Sequence, residues 1–293
     1  MQILILYGNT FNINAKELAD KAEELGHKVS AGRISDLSSF VSKKGSRFWL
    51  GREDVTDTDI CFVRSFGPGS CEQLTRRISM IEHMEFSGIR VVNPCYAFRR
   101  ARDKYATQCK LSKAGLPTVE TYTTEDLDKA YEWSKNLREF VYKPILGSMG
   151  RGSIKFEDPD LAYNAWKMLN RFSQPILIQR FIENPGRDIR IFIIGDQAVG
   201  AAFKYPATGM WKTNVAQGGT MKKEPVPKEY IELAIRATNV LGLDYAGVDI
   251  IESDEGPMIL EVNGSPGWQA LKESTGIDIA EKIIRYTTES LGV

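Results

Sequence analysis

Three side chains with oxygen donors stand in apolar runs near the C-terminal end of the sequence. Glu261 and Asn263 are two residues apart in the run 259–263, so in a strand both would project from one face. Asp249 lies in a second apolar run, 246–251, which can form the neighbouring strand. Carboxylates and a carboxamide are hard ligands that suit Mg²⁺ or Mn²⁺ better than zinc or iron. We therefore expect these three residues to bind a metal ion carried by a nucleotide.

The alternative interpretation is that these acidic residues are solvated caps near turns, which are more common than metal ligands. The apolar neighbours of Glu261 argue against it, because a buried carboxylate is costly unless a cation or hydrogen bond stabilises it. The following turn contains Gly264 and Ser265, and its backbone amides could approach a ligand closely. We expect this turn to contact the substrate.

A glycine-rich segment, 147–152, separates two short apolar runs at 140–142 and 154–156. No helical periodicity follows the glycines, so the order is strand, loop, strand, which fits neither a P-loop nor a Rossmann fingerprint. What remains is a flexible hairpin whose backbone N–H groups, including those of Ser148 and Gly150, could cover phosphates beside Lys143. A glycine-rich hairpin without a ligand is the alternative.

The segment 176–192 is interpreted as two strands joined by a tight turn. An adenine edge could hydrogen-bond the backbone where the first strand continues, at Gln179, Arg180, Phe181 and Ile182. In the second strand Asp188 and Arg190 alternate onto one face. Asp188 could accept from ribose hydroxyls, and Arg190 could donate to phosphate or carboxylate. For this pattern alone, a surface ion pair across a hairpin is the favoured alternative.

The N-terminal third has the strand, helix, strand order of a small parallel α/β domain. Strands are expected at 2–7, 28–30 and 60–63, with a helix at 14–25. Arg64 follows the buried strand 60–63 at its carboxyl end, where ligands of such sheets bind. Arg64 is therefore a candidate for binding a substrate carboxylate, and a surface loop arginine is the alternative.

Further helices are expected at 97–114, 127–137, 161–172, 228–241 and 277–291. These elements suggest three units along the chain, at 1–100, 101–182 and 183–293.

Composition argues against several kinds of partner. Lys+Arg and Asp+Glu number 38 each in 293 residues, so nothing favours nucleic acid or a membrane surface. The first apolar run is too short to span a membrane and lacks the features of a signal peptide, so a cytoplasmic location is expected. The four cysteines form no CxxC pair and are expected to be reduced and mostly buried. His27 and His83 lie at a helix end and in a helix, which argues against histidine general-base chemistry.

Taken together, these segments resemble the ATP-grasp superfamily, and within it the RimK-type amino-acid ligases. The resemblance covers nearly the whole chain in the family's order and rests on the motifs ARDKYAT, VYKPILGSMGRGS, IQRFIE, GRDIRIF, WKTNVAQGG, GVDIIE and LEVNGSPG. It implies an α/β ATP-grasp fold preceded by a Rossmann-like parallel-sheet domain.

The resemblance also implies roles for individual residues. Lys104 and Lys143 would bind the ATP phosphates, the hinge at Arg180 and Phe181 would hold adenine, and Asp188 would bind ribose. The nucleotide and substrate cavity would be lined by Lys212, Thr213 and Asn214. Two Mg²⁺ or Mn²⁺ ions would be held by Asp249, Glu261 and Asn263. The chain departs from the family where Arg180 replaces a usual acidic residue and where WKTN replaces a usual Arg-Ser-Asn triplet.

The implied reaction is ATP-dependent ligation, in which a carboxylate becomes an acylphosphate and an amine then attacks it to form an amide. Arg190 and Asn263 are the expected catalytic residues, because the guanidinium and the amides of 263–265 could stabilise the oxyanion. The amine substrate is expected to be L-glutamate, and the carboxylate acceptor a coenzyme such as tetrahydromethanopterin or a deazaflavin.

Three alternatives stay open. One is a lysine-biosynthesis ligase that acts on aminoadipate and a carrier protein, the second is a ribosomal-protein glutamate ligase, and the third is a non-catalytic ATP-binding regulator. The resemblance further suggests a homodimer or homotetramer.

Overall fold

A computed structural model describes residues 1–147 and 150–291. Its N-terminal part is a four-stranded parallel sheet in the order β2-β1-β6-β7. The elements of this part are β1 (Gln2–Tyr7), α1 (Ile13–Glu24), β2 (Lys28–Arg33), β3 (Leu37–Ser42), β4 (Gly45–Leu50), β5 (Glu53–Asp54), β6 (Ile60–Val63), α2 (Cys71–Phe86), β7 (Arg90–Val92) and α3 (Cys95–Arg102). The expected parallel α/β domain is confirmed, and the antiparallel sheet β3-β4-β5 is an addition that the sequence analysis missed.

A second, antiparallel sheet has the order β10-β9-β11-β8. Its part of the chain contains α4 (Lys104–Lys113), β8 (Thr121–Thr124), α5 (Leu127–Ser134), β9 (Phe140–Tyr142), β10 (Ile154–Phe156), α6 (Pro159–Asn170) and β11 (Ile176–Arg180). The glycine-rich segment joins β9 to β10, as its pattern predicted.

A third sheet, in the order β14-β13-β12-β15-β16, occupies most of the remaining chain. The elements are β12 (Asp188–Ile194), β13 (Gln197–Tyr205), β14 (Thr220–Lys222), α7 (Lys228–Leu241), β15 (Tyr245–Ser253), β16 (Gly256–Asn263), α8 (Gln269–Thr275) and α9 (Ile279–Glu289). Short 3₁₀ turns lie at Ile34–Asp36 and Val215–Gln217. The sheet is antiparallel throughout, and α7 packs on its β12-β15-β16 face.

One expectation about the helices was wrong, and another was confirmed with shorter bounds. The single helix expected at 97–114 is the pair α3 and α4, because Asp103 has extended backbone angles and its carboxylate caps the Ala106 amide at 2.9 Å. The helix expected at 277–291 begins at Ile279, capped by Asp278, and the separate helix α8 precedes it.

The hairpin expected at 176–192 was also wrong. Strands β11 and β12 belong to different sheets, so the turn at 184–186 carries the chain from the second sheet to the third. The segment that was expected to bind adenine therefore lies where the chain crosses between the two sheets.

The C-terminal helices pack against the N-terminal sheet domain. Helix α9 lies on α1, and the buried core there joins Leu18 and Ile5 to Ile283 and Trp268. The indole of Trp268 donates to Glu17 at 2.7 Å. Residue 100, where a unit boundary was expected, lies inside α3; the three units remain a prediction.

Cys61 and Cys95 are buried, but Cys71 and Cys109 are exposed, so the expectation of mostly buried cysteines was half wrong. All four cysteines are free. Within the described residues, no helix is long and apolar enough to cross a membrane.

Candidate functional site

The acidic residues of the third sheet stand opposite each other on adjacent strands. Asp249 of β15 pairs with Glu261 of β16, and Gly247 pairs with Asn263. Glu261 and Asn263 therefore share a face, as their spacing predicted, and Asp249 lies beside them. Among the described residues, no three histidine, cysteine, aspartate or glutamate side chains cluster as a metal site, so a third ligand here would be the Asn263 amide.

Asp249 is almost fully buried and held by two cations. Arg190 donates to both of its carboxylate oxygens, from Nε at 2.6 Å and from Nη2 at 2.8 Å, and Lys204 lies 3.1 Å away. Burial opposes ionisation of Asp249, but the attraction of Arg190 and Lys204 outweighs it and lowers its pKa. Arg190 thus faces Asp249 with the planar fork that a carboxylate accepts.

Lys204 is a site residue that the sequence analysis missed. Its ammonium group bridges Asp249 and Asp188, at 2.7 Å from the latter, and its side chain is 4% exposed. The Thr213 hydroxyl donates to the other Asp188 oxygen. Burial is the main cause of the raised pKa of Asp188, helped by Asp249 and opposed by Lys204. A lysine in the otherwise apolar strand β13 was the signal that could have indicated a buried partner.

Glu261 has weaker partners than the two aspartates. Its carboxylate lies 3.8 Å from Lys104 Nζ, and its side chain is 32% exposed. Lys143 is half-buried nearby, and burial lowers its pKa to about 8, with Lys104 adding to the shift and Glu261 opposing it. Two lysines and a carboxylate thus lie close together, and the two ammonium groups could offset the negative charge of a polyphosphate.

The glycine-rich segment is held by lysines through its backbone. Lys104 Nζ donates to the Gly147 carbonyl at 2.7 Å, and Lys212 Nζ donates to the Gly150 carbonyl at 3.2 Å. Gly150 has φ 65°, and a Cβ placed on it would overlap the Asn214 Oδ1 atom. The expected contact of Ser148 lies outside the described residues.

The crossing between the two sheets leaves little backbone free at the expected adenine contact. The Arg180 amide donates to the Glu120 carbonyl, and the Phe181 amide donates to the Glu139 carbonyl. Within the described chain the Ile182 amide has no hydrogen-bond acceptor, so this residue of the expected adenine segment keeps a free backbone donor. The Arg180 guanidinium binds Glu255 at 2.6 Å.

These groups line one cleft between the second and third sheets, with an empty volume of about 930 Å³ including open solvent. The cleft contains the predicted site residues Lys104, Lys143, Gly150, Gln179, Arg180, Phe181, Asp188, Lys212, Thr213, Asn214, Asp249 and Glu261. It also contains Ile182 of the expected adenine segment, and residues that sequence reasoning missed: Asn184, Arg187, Lys204, Trp211 and Leu260.

Five predicted residues do not line this cleft: Arg64, Arg190, Asn263, Gly264 and Ser265. Arg64 was expected in a ligand-binding loop, but it is 7% exposed and donates to the Tyr245 hydroxyl at 2.9 Å and the Pro266 carbonyl at 2.8 Å. The Ser265 hydroxyl in turn donates to the Arg64 carbonyl at 2.7 Å. Arg64 therefore holds the turn after β16, and its contact with a substrate stays a prediction.

Asn263 begins that turn, and its Oδ1 accepts from the Ser265 amide at 3.1 Å. The next residue, Gly264, packs against helix α3, because a Cβ on it would lie 3.2 Å from the Ala101 Cβ. A larger side chain at Gly264 would therefore displace the turn from the helix.

Solved structures with this fold are ATP-grasp ligases. The ATP-grasp ligase PsnB complexed with a minimal precursor aligns with TM-score 0.76 over 98% of both chains at 18% identity. The D-cycloserine synthetase DcsG aligns with TM-score 0.76 over 99% of this chain and 100% of its own, at 16% identity. The chain has the ATP-grasp fold that the resemblance implied.

A family model described as a RimK-like ATP-grasp domain matches residues 101–287. The tetrahydromethanopterin:alpha-L-glutamate ligase of Methanosarcina acetivorans is 32% identical over 85% of this chain and 86% of its own. A probable alpha-L-glutamate ligase of Haemophilus influenzae is 36% identical over 98% of this chain and 97% of its own. The chain belongs to the RimK-like ATP-grasp family, and it is an enzyme of the ligase class.

Proposed function

We propose that this protein is an ATP-dependent ligase that joins L-glutamate to a carboxylate of a small-molecule coenzyme. The observation that carries the proposal is a single cleft. Lys104 at the start of α4 and Lys143 after β9 line it together with the acidic pair Asp249 and Glu261 of the third sheet. The naming of relatives as tetrahydromethanopterin:alpha-L-glutamate ligases, at 32% and 36% identity, supports this class of acceptor.

ATP would lie along the cleft. Lys104 and Lys143 offset the charge of the phosphates. Lys104 donates to the Gly147 carbonyl of the glycine-rich segment, and Lys143 lies near Glu261. Adenine lies beside Phe181, where the Ile182 amide donates to a ring nitrogen. Asp188 is the ribose contact of the proposal, although its oxygens now serve Lys204 and Thr213.

The acidic pair fits a hard divalent cation. Glu261 and Asp249 are opposed on adjacent strands, and Glu261 keeps much of its carboxylate open to solvent. With the Asn263 amide they would hold Mg²⁺ or Mn²⁺, and two ions are proposed by resemblance. When bound, the ions offset the phosphate charge that develops during transfer.

The reaction has two steps. An acceptor carboxylate oxygen attacks the γ-phosphorus, and the bond between this phosphorus and the β-phosphate oxygen breaks. ADP is released, and the acceptor becomes an acylphosphate. The glutamate amine then attacks the acyl carbon, loses a proton, and inorganic phosphate leaves as the amide forms. Arg190 is proposed to stabilise the oxyanion through its positive charge, while its Nε and Nη2 groups bind Asp249.

The test is ADP release from the purified protein with ATP, Mg²⁺, L-glutamate and one acceptor at a time. Tetrahydromethanopterin, a deazaflavin coenzyme, aminoadipate on a carrier protein and a ribosomal-protein C-terminus are compared. We expect a coenzyme to give ADP release and a glutamyl mass gain, and hydroxylamine to trap the acylphosphate when glutamate is withheld. Turnover with a protein acceptor alone, or ATP hydrolysis independent of any acceptor, would overturn the proposal. A cytoplasmic location and a homodimer or homotetramer remain predictions.

A further inference from the structure

The N-terminal parallel sheet has a topological switch point at the carboxyl ends of β1 and β6. The chain leaves β1 towards β2 on one side, and β6 lies on the other side, so the two loops diverge at this point. Ligands of open parallel sheets bind at such a switch point. The loops touch, because a Cβ on Gly8 would lie 3.0 Å from the Gly67 Cα.

Helix α3 places the cationic side chain of Arg102 beside this switch point. The buried ring of Phe66, in the loop after β6, contacts Phe98, with ring centroids 5.0 Å apart. The guanidinium carbon of Arg102, one helical turn after Phe98, lies 5.0 Å from the Phe66 centroid. Arg102 thus lies over the loop that follows β6 at the switch point.

Arg102 has no counter-ion in the part of the chain that the structure describes. It is half-buried, yet among the described residues it makes no hydrogen bond or ion pair, and its contact is the Phe66 ring. Burial is the cause of its lowered pKa. By contrast, the guanidinium groups of Arg187 and Arg190 bind Glu252 and Asp249. A partly desolvated cation with five unused donors is costly, and an anionic ligand would offset that cost.

Arg102 also stands beside the reaction centre. The preceding residue, Ala101, packs against Gly264 in the turn after β16. Two residues further on, Lys104 lies in the nucleotide cleft within 3.8 Å of Glu261. A ligand on Arg102 would therefore lie between the switch point of the parallel sheet and the nucleotide cleft, at the end of the cleft where the phosphates are proposed to bind.

We propose that Arg102 binds a carboxylate of the incoming amino acid that does not react. The inference rests on the proposed function and deepens it. L-glutamate attacks through its amine and keeps two free carboxylates, and each must be neutralised in a site that excludes water. A guanidinium matches a carboxylate with two parallel hydrogen bonds, which an ammonium group cannot reproduce.

The test is calorimetric titration of L-glutamate into the whole protein saturated with Mg²⁺ and a non-hydrolysable ATP analogue. We expect Arg102→Gln to weaken glutamate binding about 10- to 100-fold, the effect of losing a charged hydrogen-bonded pair. Arg102→Lys should recover only part of the loss, and binding of the ATP analogue should be unchanged in both variants. The matched control is Arg99→Gln, at an exposed arginine of the same helix, and it should bind as the wild type does.

Titrations with glutamine and with the α-amide of glutamate identify the carboxylate. The analogue that lacks the contacted carboxylate should bind the wild type weakly and should lose nothing further in Arg102→Gln. Equal glutamate affinity in Arg102→Gln and the wild type would overturn the inference, as would a loss confined to the ATP analogue. A wild type that binds no glutamate would overturn the proposed function instead.

Discussion

Glu261 differs from the other acidic residues of the cleft in how its charge is balanced. Asp249 is held by Arg190 and Lys204, whereas the nearest cation to Glu261 is Lys104 at 3.8 Å. Its side chain is 32% exposed, against 5% for Asp249. A carboxylate with one distant partner keeps lone pairs for a cation, so Glu261 is the residue whose charge should matter most for turnover.

Glu261→Gln should keep the fold and lower the rate of ADP release about 100-fold or more, because a neutral amide cannot offset a cation's charge. The rate is measured with acceptor, glutamate and limiting Mg²⁺. Glu232→Gln, on the exposed face of α7, is the matched control and should leave the rate unchanged. Near-wild-type turnover of Glu261→Gln would remove this residue from the metal site.

The pKa of Lys143, lowered to about 8 by burial, predicts a pH effect on ATP binding. Phosphates stabilise the charged form, so they raise the pKa of Lys143 and ATP binding takes up a proton above about pH 8. ATP affinity should therefore fall as the pH rises through 8, approaching tenfold per pH unit. Calorimetry at about pH 9, in two buffers that differ in ionisation enthalpy, measures the uptake.

Lys143→Arg is the control for this effect, because arginine stays charged throughout that range and should take up no proton. If the wild type binds ATP without proton uptake at about pH 9, Lys143 does not meet the phosphates.

At the scale of elements, the glycine-rich segment depends on two sheets. It leaves and re-enters the second sheet through β9 and β10, but its Gly150 carbonyl accepts from Lys212, and Gly150 abuts Asn214. Both partners belong to the loop between β13 and β14 of the third sheet. The glycine-rich segment can therefore lie against the β13–β14 loop only because Gly150 has no Cβ atom, which would overlap Asn214.

Gly150→Ala should raise the KM for ATP, since the new methyl group displaces Asn214 and the left-handed φ of 65° costs about 1–2 kcal/mol. Steady-state kinetics with varied ATP check this. Gly115→Ala, at φ 71° with no atom within 4 Å of the new Cβ, is a control for the backbone strain alone. An equal KM increase in both variants would show that contact with the loop plays no part.

At the scale of the whole molecule, one buried amide joins the N-terminal domain to the third sheet. Asn93 is 0% exposed and donates to the carbonyls of Tyr245 and Gly264 at 2.9 and 2.7 Å. Its Oδ1 accepts from the amides of Asp244 and Tyr245 at 2.6 and 3.0 Å. The residue after β7 thus fixes both the start of β15 and the turn after β16.

Asn93→Ala should lower the free energy of unfolding by about 3 kcal/mol, because it leaves buried backbone groups without partners. Chemical denaturation followed by tryptophan fluorescence measures the loss. Asn136→Ala, at an exposed amide after α5, should change stability by no more than about 0.5 kcal/mol. Equal stability of the two variants would mean that water replaces the Asn93 hydrogen bonds without cost.

Prediction from the sequence succeeded where the signal is local. The apolar runs gave β1 and β6 with their observed bounds, and the spacing of Glu261 and Asn263 placed both on one face. Local patterns failed at Asp103, which starts a new helix, and at the turn 184–186, which crosses between sheets. Neither event leaves a change in hydrophobic period that a reader of the sequence could detect.

The sequence by itself therefore determined the strand, helix, strand order of the N-terminal sheet, the glycine-rich segment and the family motifs, because each depends on neighbours along the chain. Only the tertiary structure decided the partners of the charged residues. It buried Arg64 against Tyr245, placed Lys204 between two aspartates, and left Arg102 without a counter-ion among residues 1–147 and 150–291. The physical reason is that the energy of a buried charge depends on groups far away in sequence, whose distances are set only when the sheets pack.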